Sequence, residues 1–292
     1  MSGTLRLRVT AAPEQEDSLS AWLWAHGGQG LVWEQAEAAD SRAAAWLFFA
    51  GESAPDATAL ETLASWCPGC EAGALEPVAE GDWLAGWRAH AEPIEAGRRF
   101  LIDPREPAEA DRAPEPGDRF LLRLPARTAF GVGSHESTRL TLELLEQVGC
   151  AGARVLDVGC GTGILAFAAQ LLGARAVVAF DVDPAAALLC DQYRRMNGLR
   201  RVPVFCGSLG AVSIEGRSPR FEVALVNVVP TEIGPEMDLL VRALVPGGRA
   251  LFSGILAEEG AAARAQLARH GFRVTAERTA GEWVAFVAEL GR

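Results

Sequence analysis

The sequence predicts an α/β fold in which an open, largely parallel sheet is preceded by a smaller α+β domain. Three observations point that way. Residues 153–156 form a short apolar run that reads as a buried strand, Asp157-Val158-Gly159-Cys160-Gly161-Thr162-Gly163 is a glycine-rich turn, and residues 164–169 read as a buried helix. A second apolar run at 176–180 ends in Asp181, and Pro184 then suits the first turn of another helix. Residues 1–79 instead order their short elements as β-α-β-β-α-β, which makes a ferredoxin-like sandwich: one sheet, two helices on one side, an open face on the other.

In chain order, the N-terminal part reads as a strand at 5–9, a helix at about 14–25, strands at 31–34 and 44–49, a helix at about 56–66 and a strand near 74–78. Trp22, Trp24, Trp33, Trp46 and Trp66 crowd into it and read mostly as core. Residues 80–128 are a connector. Within it, 108–118 is too rich in proline and charge to bury itself and reads as a mobile loop, Trp83 and Trp87 share a helical face, and strands at 99–102 and 119–122 pair across the loop. A second glycine turn at 129–134 opens the third part, 129–292, and leads into an amphipathic helix at 139–148. After Asp181 come strands at 202–206 and 221–226, a helix at 232–244 stopped by Pro246-Gly247-Gly248, a strand at 249–253, a surface helix at 257–270, and a closing hairpin of 272–277 with 283–289.

The glycine turn is a small-molecule cradle. Gly159, Gly161 and Gly163 allow positive φ and direct approach of a ligand to the backbone, and the helix start that follows offers unpaired N–H groups. Asp181, at the carboxyl edge of the neighbouring strand, can accept hydrogen bonds from both hydroxyls of a ribose, so the ligand is nucleoside-like. Gly161-x-Gly163-x-x-Ala166 with an acid at 181 also satisfies a dinucleotide fingerprint. Asp157 separates the two readings, because its charge would repel a pyrophosphate and suits the ammonium end of a methionine moiety.

At 292 residues the chain is long enough for two domains with cores of their own. A formal charge of −11 argues against tight non-specific nucleic-acid binding and suits a basic partner, or simply solubility. Every basic side chain is arginine; with no lysine, the chain has no lysine to modify. No apolar run is long enough to cross a bilayer and the N-terminus has no signal pattern, so a cytoplasmic monomer with no membrane partner is expected. Of six cysteines, only Cys67-Pro68-Gly69-Cys70 has ligand-like spacing, and without a second pair it reads as a turn with two reduced thiols, leaving no expected metal site. Cys160 and Cys206 read as buried small hydrophobes.

The D-x-G-x-G-x-G string resembles the first motif of class I methyltransferases, which use S-adenosylmethionine, and the closing antiparallel hairpin is typical of their Rossmann-like domain. A more specific resemblance begins at Ala129-Phe130-Gly131-Val132-Gly133-Ser134-His135-Glu136-Ser137-Thr138, which is similar to the F-G-T-G-x-H-x-T-T signature of the ribosomal protein L-eleven methyltransferases (PrmA). Asp82-Trp83, Trp87-Arg88, His90, Pro93-Ile94, Gly97, Ile102 and Pro104 resemble that family's linker. Asn227 stands where the family has N-I-L, Phe252-Ser253-Gly254-Ile255-Leu256 matches its S-G-I-L, and Glu282-Trp283 its late E-W pair. The departures are Val132, Glu136-Ser137, Leu124-Pro125-Ala126-Arg127 for L-D-P-G, and Asn227-Val228-Val229-Pro230 for N-I-L-A, all around the pocket where a nucleophile would enter.

The resemblance implies an enzyme that carries methyl groups from S-adenosylmethionine to amines of a basic, ribosomal protein substrate. Thr138, Gly159, Asp181 and Asn227 are the implied cofactor contacts, beside Asp157, Gly161 and Gly163 from the turn. Asn227 could accept a hydrogen bond from the target amine, His135 could deprotonate or orient it, and Phe130 and Trp283 would wall the substrate pocket, Trp283 by cation–π contact with an alkylated ammonium. A relative acting on another protein lysine or a small amine, and a non-catalytic cofactor-binding module, are the alternative readings.

Overall fold

The computed structural model describes residues 4–12, 15–33, 43–50, 54–78, 92–106, 114–125, 133, 135–212 and 220–291. The helix expected around Trp83 and Trp87, Phe130 with its expected place in the pocket, most of the glycine turn at 129–134 and part of the loop expected at 108–118 lie outside them. The chain divides into two compact units, Met1–Ala91 with Ala126–Phe130, and Glu92–Pro125 with Gly131–Arg292.

The first unit contains β1 (Thr4–Ala11), α1 (Glu16–Ala25), β2 (Gly28–Trp33), β3 (Ala43–Ala50), α2 (Ala57–Trp66) and β4 (Glu71–Val78), with sheet order β2-β3-β1-β4 and every pairing antiparallel. This is the ferredoxin-like order expected from the sequence. Strand period decides the faces: Leu7, Val9 and Ala11 of β1 and Ala45, Leu47 and Phe49 of β3 point to one side, where Leu19, Trp22, Leu23 and Leu63 of the helices complete a core. Of the tryptophans read as core, Trp22 is fully buried, whereas Trp66 ends α2 at 43% exposure.

The second unit begins with a three-stranded sheet, β5 (Ile94–Ala96), β6 (Phe100–Asp103) and β7 (Phe120–Arg123). β6 and β7 do pair, but in parallel, in register from Phe100 with Phe120 to Asp103 with Arg123. The other edge of β6 already carries β5, antiparallel to it. The intervening segment is long enough for the crossover that parallel pairing demands. Asn197 then closes the free edge of β7: its Oδ1 accepts from Arg123 N–H and its Nδ2 donates to Arg123 C=O, both at 2.8 Å. Glu146 holds the β5–β6 turn by accepting from the N–H groups of Arg98 and Arg99.

The remaining elements are α3 (Glu136–Val148), β8 (Arg154–Val158), α4 (Ile164–Leu171), β9 (Ala176–Asp181), α5 (Pro184–Met196), β10 (Val204–Cys206), β11 (Phe221–Asn227), α6 (Pro230–Ile233), α7 (Met237–Ala243), β12 (Leu244–Leu256), α8 (Gly260–Arg269), β13 (Phe272–Ala280) and β14 (Trp283–Leu290). They build a seven-stranded sheet of order β10-β9-β8-β11-β12-β14-β13. Its first five strands are parallel, while β14 runs antiparallel to both β12 and β13. That is the Rossmann-like arrangement with a closing hairpin that the sequence predicts. Both faces are covered, which explains why these strands read as unbroken apolar runs. Val155, Val177, Val223 and Leu225 face Leu140, Leu144 and Phe167, and Leu156, Val158, Ala224 and Val226 face Met237, Leu240 and Leu267. Each such Val, Leu, Met or Phe side chain, fully buried, contributes about 1.5–3 kcal/mol. The single helix expected over 232–244 is two helices joined by a 3-10 turn at Gly234–Glu236, because Pro235 has no N–H to continue the ladder.

Candidate active site

The chain runs outward from β8 in one direction to β9 and β10 and in the other to β11 and β12, so a crevice opens beyond the carboxyl ends of β8 and β11. The glycine turn lies there. Gly159, Gly161 and Gly163 all have positive φ, at 65°, 51° and 85°. A Cβ at Gly159 would fall 2.5 Å from Val228 Cγ1, and one at Gly163 2.5 Å from both Cys190 Sγ and Phe167 Cζ, so these two are bare for packing. A Cβ at Gly161 would meet nothing within 4 Å. That open space beside its half-buried backbone is where a ligand can lie.

Two acids brace the turn. The N-cap of α4 is Gly163, which has no side chain to satisfy the helix's first N–H groups. Asp157 does so from the tip of β8, its Oδ2 accepting from Ala166 N–H at 2.9 Å. Asp181 acts from the tip of β9: Oδ2 accepts from Gly161 N–H at 2.9 Å and Oδ1 from Asp183 N–H at 3.0 Å. Cys160 N–H adds a bond to Phe180 C=O at 2.9 Å. The turn is thus held in shape by the same carboxylates the sequence assigns to the ligand.

On the other side of the crevice, α3 is laced by its first turn to the tips of β11 and β12. Asn227 Nδ2 donates to Thr138 Oγ1 at 3.3 Å, and Ser253, opposite Asn227 in the sheet, donates through Oγ to Ser137 C=O at 3.0 Å. His135 is the N-cap of α3, with Nδ1 accepting from Ser137 N–H at 3.2 Å and lying 2.8 Å from Ser137 Oγ. This network assigns the ring proton to Nε2. The imidazole meets the indole of Trp283 edge-on, with centroids 4.7 Å apart. Trp283 opens β14 opposite Leu256, at the same end of the sheet.

The site residues therefore gather in two groups: Asp157, Gly159, Gly161, Gly163 and Asp181 around the turn, and His135, Thr138, Asn227 and Trp283 at the start of α3. The Gly159–Val228 contact joins them. Ser137 and Ser253 carry structural bonds that no local pattern assigns; their only signal is that they lie within the stretches 129–138 and 252–256. Cys160 is buried, but Cys206 is exposed, contrary to expectation, because β10 is a three-residue edge strand and Cys206 is its last residue. Cys67 and Cys70 do form a turn, with Cys70 N–H donating to Cys67 C=O, and burial followed by the neighbouring Cys70 pushes the Cys67 thiol up to about 11.

Four buried polar side-chain atoms among the described residues have no hydrogen-bond partner, and three belong to this crevice: Asp157 Oδ1, Asn227 Oδ1 and Trp283 Nε1. Native interiors satisfy nearly all such groups. Two acceptors and a donor beside a bare glycine backbone fit a ligand that carries cationic and polar groups, as S-adenosylmethionine does.

The family described as ribosomal protein L11 methyltransferase (PrmA) matches residues 4–290. A ribosomal protein L11 methyltransferase of Parasynechococcus marenigrum is 36% identical over 290 residues, spanning 94% of this chain and 97% of its own. One from Geobacter sulfurreducens is 39% identical over 211 residues, 72% of this chain and 67% of its own. Among solved structures, a ribosomal protein L11 methylase of Lactobacillus delbrueckii subsp. bulgaricus superposes with a TM-score of 0.62 and 26% identity, covering 69% of this chain and all of that one. With sheet order, glycine turn and strand-tip acids in agreement with a match that spans both units, the chain belongs to the ribosomal protein L11 methyltransferase family.

Proposed function

We propose that the protein transfers methyl groups from S-adenosylmethionine to amines of ribosomal protein L11, lysine side chains and the N-terminal amine among them, in the cytoplasm. The observation that supports this most is the trio of unsatisfied atoms, Asp157 Oδ1, Asn227 Oδ1 and Trp283 Nε1, at one end of the sheet. The donor supplies a methyl group on a positively charged sulfur, and its acceptor must be a neutral amine approaching in line. In this reading Asp181 holds the ribose, Thr138 and Gly159 contact the donor, and Gly161 gives it room.

Asn227 Nδ2 is engaged by Thr138, so its Oδ1 is the free end of the amide, an acceptor that can fix an amine N–H and aim the lone pair. Burial in the crevice disfavours the ammonium form of the target and excludes water. His135 is a positioning residue: Nδ1 is occupied as the helix cap and Nε2 carries the proton, so the ring holds Trp283 and α3 without serving as a base. Trp283 walls the amine. Residues 1–79 recognise the protein substrate and 80–128 connect them to the catalytic part, 129–292, in a monomer that does not bind nucleic acid. No helix among the described residues is long and apolar enough to cross a membrane.

Incubating the enzyme with methyl-labelled donor and ribosomal proteins from a strain lacking this gene should place label in ribosomal protein L11. Label confined to a different protein would overturn the substrate assignment, and donor binding without transfer to any protein would make the chain a cofactor-binding scaffold.

A further inference from the structure

Asp157 is 1% exposed at the tip of β8, where its strand neighbours are Ala179 of β9 and Leu225 of β11. α4 offers it one neutral donor, Ala166 N–H, to Oδ2. From the turn it meets the Cys160 thiol, which hydrogen bonding with Cys190 of α5 and burial hold firmly in the neutral form. The tip of β9 brings a second carboxylate, Asp181. No cation among the described residues pairs with it. A buried carboxylate with one neutral partner and a like charge nearby is costly to ionise, and only a proton or an incoming cation relieves Oδ1.

Given the reading of the site as a sulfonium-donor pocket, we infer that Asp157 Oδ1 holds a proton while the site is empty and exchanges it for the positive charge of S-adenosylmethionine, so that the preference for donor over its uncharged-sulfur product grows as pH rises. The proton leaves to bulk buffer and no other bond changes. Burial, opposed by the Ala166 bond and reinforced by the charge of Asp181, pushes the carboxyl up to about 7, which puts the exchange near neutrality. The sign follows from that direction. Below this pH the donor must expel a proton to bind, whereas above it the carboxylate is already ionised and attracts both positive charges of the donor, the ammonium it faces and the sulfonium beyond. S-adenosylhomocysteine keeps its ammonium but has lost the sulfonium charge, and gains less.

Titration calorimetry at pH 7 in phosphate and in Tris counts the protons released when the full-length protein binds S-adenosylmethionine. A fractional release is expected at that pH. The ratio of the Kd for S-adenosylhomocysteine to that for S-adenosylmethionine should rise at least about threefold between pH 6 and 8. Asp157→Asn keeps an acceptor for Ala166 N–H and an uncharged group at Oδ1; it should release no proton and show a flat ratio. Proton-free donor binding by the wild type, or the same slope in Asp157→Asn, would overturn the inference while leaving the donor pocket standing. Failure of the wild type to bind the donor at any pH would instead remove the pocket assignment and the inference with it. The proton count needs only the wild type, so it decides the matter even if the variant does not fold.

Discussion

Two tryptophan–histidine pairs, one in each unit, show the difference between a finished core and a site. Trp22 stacks on His26 with centroids 4.6 Å apart, its Nε1 donates to Thr62 Oγ1 at 3.0 Å, and Thr62 donates onward to Ala59 C=O. Every step of that chain ends in a partner. Trp283 meets His135 at almost the same separation, 4.7 Å, yet its Nε1 is buried with none. Both imidazoles are tied at the same atom: His26 Nδ1 bonds back to Trp22 C=O at the end of α1, and His135 Nδ1 accepts from Ser137 N–H as the cap of α3, so the tryptophan nitrogen is where the two pairs part. Packing alone would favour the first arrangement, because an unmade bond in a dry interior costs about 1–3 kcal/mol.

The largest effect expected from testing this contrast is on the finished pair. Trp22→Ala should lower the unfolding free energy measured in urea by about 3–5 kcal/mol and leave S-adenosylmethionine affinity unchanged; a large loss of donor affinity at constant stability would dissolve the distinction. Asn227→Ala comes next. It removes the unsatisfied Oδ1 and should lower kcat by about a hundredfold, with stability held within about 1 kcal/mol because the lost Thr138 bond and the relieved desolvation oppose each other. A loss of several kcal/mol would return Asn227 to the ordinary core. The smallest effect is that of Trp283→Phe, which keeps the ring contact with His135 and deletes the orphan N–H. It should stabilise the fold by at most about 1 kcal/mol and lower kcat/KM less than tenfold, read from thermal unfolding and steady-state kinetics of the same preparation.

The parts of this site that the sequence discloses are those whose geometry is local. Asp157 and the three glycines fall in seven consecutive residues between a strand and a helix, and Asp181 ends the next apolar run, so strand, turn and helix periodicity suffice to place them. The ferredoxin-like order was legible for the same reason. What stayed hidden depends on long-range register. Ser253 reaches Ser137 only because β12 lies beside β11 with Ser253 opposite Asn227, and no local pattern reveals a bond across that much chain. Cys206 has the apolar run of a core strand before it, but its exposure is decided by β10 being the sheet's edge. The direction of β7 relative to β6 could have been argued from the length of the segment joining them. Pro235 was visible inside the expected helix and marks where that helix breaks.

The amide of Asn197 lends β7 the donor and acceptor that a further strand would have supplied. An open sheet margin invites a stranger chain to add itself by backbone pairing, the first step toward aggregation. Here one side chain, just past the end of a neighbouring helix, closes that margin at Arg123, so β7 finds its backbone partners there without a further strand.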